Sequence, residues 1–150
     1  MTTPLSFISA SPRYSLPFLF VGQAQKEFFV NEALARIDTL LHPAVSGEAS
    51  APPATPEPGE TWLVGSAATS EWAGHDAELA AWQAGEWNFV APSEGTRIYR
   101  IDERRFVQFA NGWQSFDAPA APSGGNTIDV EARAGLENIV NVLKSAGILG

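Results

Sequence analysis

Cysteine is absent from the 150 residues, which excludes disulfides, thiolate zinc sites and a cysteine nucleophile and leaves stability to packing or association. Basic residues are scarce: nine Lys and Arg stand against seventeen Asp and Glu, for a formal charge of -8. A phosphate backbone is gripped by clustered Lys and Arg that release its counterions, so this balance opposes nucleic acid as a partner. Long apolar runs are missing as well. The stretch Leu16 to Val21 is too short for a membrane span or a signal-peptide core, and no basic region precedes it. The expectation is a soluble chain made in the cytoplasm, without membrane insertion.

Histidine is limited to His42 and His75, and only His75 has carboxylate neighbours, in His75-Asp76-Ala77-Glu78. A metal centre needs at least three ligands with supporting contacts, and nothing else in the chain has that spacing; a polar loop accounts for the cluster. No G-x-S-x-G elbow, phosphate-cradling glycine loop or dinucleotide fingerprint occurs. Carboxylate pairs drawn from Asp76, Glu78, Glu94, Asp102 and Glu103 are what any acidic protein offers. The sequence therefore predicts no enzyme, no metal and no cofactor.

What is present reads as an α+β chain in five segments, with hydrophobic residues at 45% sufficient for one modest core. Residues 1–45 form an N-terminal arm and helix. The arm is rich in apolar residues, including Phe18 and Phe20, yet is broken by Pro4, Pro12 and Pro17, so it is extended and needs a surface, its own domain's or a neighbour's. From Gln23 to Leu41 there is no Gly or Pro, and Val30, Ala33, Leu34, Ile37, Leu40 and Leu41 recur at helical spacing until Pro43 ends the helix. The polar residues Gln23, Gln25, Lys26 and Asn31 flank this stripe, as a solvated face or as a partner surface. Residues 46–59, with four prolines among small residues, read as a connector outside helix or sheet.

Residues 60–118 carry the signature of a small antiparallel β-unit. Strands are expected near Thr61–Val64, Leu79–Gln83, Trp87–Ala91, Thr96–Ile101, Arg105–Ala110 and Trp113–Phe116, with tight turns at Ala84-Gly85-Glu86 and Asn111-Gly112. The stretch from Trp82 to Pro92 parallels that from Phe109 to Pro119: aromatic, turn, Trp, polar residue, Phe, then Ala-Pro. Two matching hairpins imply an internal duplication. Residues 119–126 form a second linker, and 127–150 a C-terminal amphipathic helix capped by Thr127 or Asp129 and closed by Gly147. Its stripe of Ala132, Leu136, Ile139, Val140 and Leu143 needs a cover. A partner or oligomer interface is expected at Phe18, Phe20, Gln23, Gln25, Lys26, Asn31, Leu136, Ile139, Val140 and Leu143.

All five tryptophans fall in the β-unit. Flat indole faces stack on sugar rings, which makes a glycan surface one reading, whereas core filler or interface anchor is the other. Trp72, in the loop-like stretch Glu71-Trp72-Ala73-Gly74-His75, and Trp113 are the candidates for glycan contact.

The segments Leu16-Pro17-Phe18-Leu19, Gly22-Gln23-Ala24-Gln25-Lys26-Glu27, Asn31-Glu32-Ala33-Leu34, Pro56 to Val64, Glu71 to His75 and Trp87 to Pro92 resemble the DUF2793 family of prophages and gene transfer agents. The closing segment from Asp129 is similar to the terminal helix of phage fibre-associated proteins. The resemblance implies a non-catalytic virion protein at a particle surface, a head-spike base or fibre-attachment protein, assembled in the cytoplasm and released by lysis. The partners expected with that role are further copies in a pentamer or trimer, capsid or other virion proteins, and a spike or tail fibre; cell-surface polysaccharide is the partner of the alternative, tryptophan-based reading. No catalytic residue comes with the resemblance.

Overall fold

The structure, a computed structural model, describes residues 11–13, 16, 18–19, 26–125 and 129–150, the side chains of 26–28 excepted. It is α+β: the described residues form helix α1 (Lys26–Leu40), eight short strands, and helix α2 (Val130–Ser145). The strands are β1 (Ala44–Val45), β2 (Glu48–Ala49), β3 (Thr61–Val64), β4 (Leu79–Gln83), β5 (Glu86–Val90), β6 (Arg97–Arg100), β7 (Arg105–Phe109) and β8 (Trp113–Gln114). They form two four-stranded sheets, ordered β1-β6-β7-β8 and β2-β3-β4-β5.

The two sheets repeat one plan. In each, a two-residue edge strand runs parallel to the first strand of an antiparallel meander, β1 beside β6 and β2 beside β3. The correspondence reaches individual hydrogen bonds. Gly59 donates its N–H to the Trp82 carbonyl at 2.8 Å and Gly95 donates to the Phe109 carbonyl at 2.9 Å, while Trp82 and Phe109 each donate back one residue on, to Glu60 and Thr96. The duplication expected from the matching hairpins is thus present in the backbone.

Two expectations are corrected. The β-unit is mixed rather than purely antiparallel, and residues 46–59 are not free of sheet, because Glu48 and Ala49 pair with Leu63 and Val64. The reason is the geometry of β1 and β2: a single six-residue segment, from Ala44 to Ala49, supplies one edge to each sheet. Leu63 N–H bonds to the Gly47 carbonyl and Ile101 N–H to that of Val45, so these edge groups are satisfied.

The core sits where the sheets meet. Val45, Ile98 and Val107 from one sheet pack with Leu63, Leu79 and Val90 from the other, and Trp113 closes the edge. Its indole N–H donates to the Ala77 carbonyl at 2.8 Å, tying β8 to the loop before β4. A smaller cluster of Val64, Trp72 and Ala80 lies on the outer face of the second sheet. The hairpin turn at Ala84-Gly85 has positive φ at both residues (54° and 83°), the twist that two-residue hairpins favour.

Helix α1 lies against this unit in the opposite sense to that read from the sequence. Its stripe residues Val30, Ile37, Leu40 and Leu41 are exposed together with Phe29, and its inward face is Asn31, Ala35, Asp38 and Thr39. Polar groups won that face because they have backbone to satisfy. The Asn31 carboxamide accepts from Leu19 N–H at 2.8 Å and donates to the Leu19 carbonyl at 3.1 Å. Asp38 accepts from Ser11 Oγ at 2.6 Å and Arg13 N–H at 3.1 Å, and the Arg13 guanidinium donates to the carbonyls of Asp38, Thr39 and His42 at the end of the helix. Gln83 Nε2 reaches the Ala35 carbonyl and Thr39 Oγ1 from the sheet. Pro12 and Arg13 press on Gly59, where a Cβ would meet Arg13 Cγ at 3.0 Å. The described part of the arm therefore docks on its own domain.

Candidate assembly surfaces

Helix α2 begins where the Asp129 carboxylate accepts the Ala132 N–H at 2.8 Å, an N-cap that satisfies one of the orphan donors of the first turn. It ends at Gly147, whose φ of 70° allows the chain to reverse. Gly147 N–H then bonds to the Lys144 carbonyl and Ile148 N–H to that of Leu143, the paired bonds of a Schellman stop. Both ends match the expected caps at Asp129 and Gly147; Thr127 lies outside the described residues.

The segment after α2 returns to the β-unit. The Gly147 carbonyl accepts from Phe106 N–H at 2.6 Å, and Gly150 N–H donates to the Phe116 carbonyl at 3.0 Å. Arg105 sits beside this return, bonded to Asp117 Oδ1 at 2.8 Å and to Glu103. Asp117 first, and then Glu103, hold the Arg105 guanidinium above its ordinary range. The helix is thus clamped at its end but left uncovered along its length.

At about 100° per residue, Ala132, Gly135, Leu136, Ile139, Val140, Val142, Leu143 and Ala146 fall on one continuous arc, and Glu131, Glu137, Asn138, Asn141 and Lys144 fall off it. None of the sixteen helix residues is buried; Leu136 is 50% exposed, Ile139 58% and Val142 66%. Val140 and Leu143 are half-buried. Between the helix and residues 119–122 lies a cavity of about 520 Å³. The expected interface residues Leu136, Ile139, Val140 and Leu143 are therefore brought together on one accessible face.

The N-terminal candidates fare differently. Asn31 is buried and spent on Leu19, and Phe18 is buried. Phe20, Gln23 and Gln25 lie outside the described residues, as does the side chain of Lys26. In their place α1 presents the exposed apolar residues Phe29, Val30, Ile37, Leu40 and Leu41.

Trp72, one of the two candidates for glycan contact, is fully buried. A single 3-10 turn, Ser70–Trp72, folds it back over Ala80 and Val64, edge-on to Trp87 at 5.1 Å and 6.5 Å from Trp62. Trp113 is half-buried in the main core. Neither candidate is a free platform. Trp62, Trp82 and Trp87 are half-buried like Trp113; Trp82 and Trp87 form a cross-strand pair with centroids 5.1 Å apart, and Trp62 Nε1 donates to Glu60 at 2.9 Å.

Arg100 forms a separate polar centre that sequence reasoning passed over. It donates to both Asp102 oxygens, at 3.2 and 2.7 Å, and pairs with Glu103 and with Glu48 across the two sheets. The Arg100 hydrogen bond is the main cause that holds Asp102 below the usual carboxylate range. Nothing in the sequence signalled it, since Glu48 and Arg100 are neighbours only once β2 and β6 are placed. His75 Nδ1 lies 2.9 Å from Glu78 Oε2 while its ring stacks on Phe89. Among the described residues no group of three or more His, Asp or Glu is placed to hold a metal ion.

A family model described as a protein of unknown function (DUF2793) matches residues 30–114. No curated protein and no solved structure matches the chain.

Proposed function

The chain belongs to the DUF2793 family, and on that premise we propose that it is a non-catalytic structural component of a phage-like particle, a gene transfer agent or prophage virion. Its place is that of a head-spike base or fibre-attachment protein, which associates with its own copies and links the particle to a receptor-binding fibre. It assembles in the cytoplasm and reaches the particle surface, to be released by lysis. The observation that carries this reading is the apolar face of α2, more than half exposed at Ile139 and Val142 on a helix whose end is nevertheless clamped to the β-unit. An amphipathic helix held in place with its apolar side bare is built for association. The exposed apolar residues of α1 offer a second surface, so one helix can serve the copies and the other the neighbouring virion protein. An epitope-tagged chain expressed in particle-producing cells should co-sediment with purified particles and be visible at their surface by immunogold. Particles that form normally and carry no tag would defeat the proposal.

A second reading, contact with capsule or cell-surface glycan, is supported by the adjacent half-buried pair Trp82 and Trp87 rather than by Trp72, which is fully buried, or Trp113, whose N–H is spent on Ala77. Glycan-array binding lost in W82A and W87A, with the fold intact, is its expected result; an array with no signal for the unaltered protein removes it.

A further inference from the structure

The apolar arc of α2 has a register as well as a direction. Ala132, Leu136, Ile139, Leu143 and Ala146 are spaced four, three, four and three residues apart, which is the spacing of successive core positions in a heptad repeat. In that register Leu136 and Leu143 occupy position a, and Ala132, Ile139 and Ala146 occupy position d. Position e holds Arg133 and Val140, and position g holds Gly135 and Val142. Leucine at a with isoleucine at d disfavours the two-stranded packing and shifts preference to three or four helices. Valine at both e and g extends the apolar seam to either flank, which again suits more than two strands, since each helix then touches two neighbours.

Two independent features of the fold agree. Gly135 lies within the helix, where glycine is worse than alanine by roughly 1 kcal/mol, and a Cβ there would meet nothing within 4 Å. The described residues of its own chain give no reason for a residue without a side chain. Close approach of another helix does. The second feature is the cavity of about 520 Å³ beside the helix, lined by Pro119, Pro122, Arg133, Leu136, Glu137 and Val140. It opens on the a and e side, whereas the exposed Val142 stands on the g side. A ridge on one flank and an apolar slot on the other let each copy insert into the next around an axis, the heterologous contact from which rings close.

From these observations we propose that α2 joins copies of this chain in a parallel bundle of three or more, with Leu136, Ile139 and Leu143 in its centre and Val142 of each copy set against the slot of the next. This deepens the self-association of the proposed function and rests on that part of it. A dimer would leave one flank of the seam bare.

Native mass spectrometry of the full chain, with light scattering at tens of micromolar concentration, tests it. The expected result is a species of three or more copies. L136N combined with I139N should raise the dissociation constant by roughly 100-fold or more, leaving monomer with the tryptophan fluorescence of the β-unit unchanged. The exchange L136I, I139L and L143I, which places isoleucine at a and leucine at d, should keep association but lower the order to two. A monomeric or dimeric unaltered chain overturns the inference, as does an oligomer indifferent to L136N and I139N or to the exchange. An oligomer of three or more that never co-sediments with particles upholds the bundle and sinks the particle reading; a monomer that does co-sediment has the opposite effect.

Discussion

Replacing Trp72 separates two contributions that usually travel together. The indole is fully buried, packed on Val64, Ala80, Trp62 and Trp87, yet its Nε1 has no hydrogen-bond partner among the described residues. Trp72→Ala removes the whole ring and leaves a cavity that Trp62, Trp87 and Phe89 can only partly fill, a change that costs about 3–5 kcal/mol. Against a total stability of about 5–15 kcal/mol, that is enough to shift the unfolding midpoint far. Trp72→Phe is a different experiment. An indole exceeds a phenyl ring by roughly 40 Å³, and at about 24 cal/mol per Å³ of residual cavity the lost volume costs about 1 kcal/mol. The same change deletes a buried N–H whose unsatisfied desolvation costs about 1–3 kcal/mol. The two offset, and their difference leaves Trp72→Phe between equal in stability to the unaltered protein and about 2 kcal/mol more stable. Equilibrium urea unfolding, followed by circular dichroism and by the fluorescence of the remaining tryptophans, measures both variants. If Trp72→Phe is destabilised as severely as Trp72→Ala, the offset does not exist and the reasoning fails.

Asn31→Ala should free the arm: two hydrogen bonds to Leu19 disappear, at a cost of about 2 kcal/mol, and limited proteolysis should cut between residues 11 and 25 faster than in the parent; equal cutting rates would contradict the latch. Ala84 holds a φ of 54° in a two-residue turn, so Ala84→Asn, which tolerates that conformation, should stabilise by about 0.5–1 kcal/mol, read as a higher thermal midpoint. The Asp102 carboxylate is held below its unfolded value, first by Arg100. Its contribution is therefore present above the unfolded pKa, near 3.8, and is lost as pH falls through the lower folded value. Because the side chain is 39% exposed, the effect is modest. Arg100→Met should flatten the stability profile between pH 5 and pH 2 (about the range over which such a carboxylate titrates), and an unchanged acid limb in urea titrations would exclude this coupling.

Much of the fold was readable because local chemistry and tertiary demand agree there. The alternation in Arg97 to Arg100 and Arg105 to Phe109, and the Gly-containing turns, give β4 to β7 nearly at their observed limits. Asp129 and Gly147 mark α2 for the same reason, since caps are local hydrogen-bond requirements. Strands β1 and β2 could not be read: two residues carry no periodicity, and their edges exist only because Tyr99 and Leu63 come to meet them. The orientation of α1 was hidden by a competition that hydropathy does not register, between burying Ile37 and Leu40 and satisfying the backbone of the arm through Asn31 and Asp38. Trp72 was misplaced for a similar reason. Its neighbours Glu71, Ala73 and Gly74 are exposed, and the composition of a loop says nothing of the one side chain that turns inward. The candidate surface on α2 was legible as a stripe, whereas the slot beside it depends on where residues 119–122 run.

The six-residue stitch from Ala44 to Ala49 also predicts an order of folding for the two sheets. The second sheet draws on residues 48–90 and closes through short connections, so its loop-closure cost is small. The first must bring Ala44 to Tyr99, 55 residues further along the chain, a pairing that on its own would be slower. Once β2 has zipped onto β3, however, Val45 is already fixed only a few residues from a formed edge, and the distant encounter becomes the addition of one meander to a strand that is waiting for it. The half nearer the N-terminus in the core thus serves as template for its duplicate, and a chain emerging in synthesis order can complete the template before β6 appears.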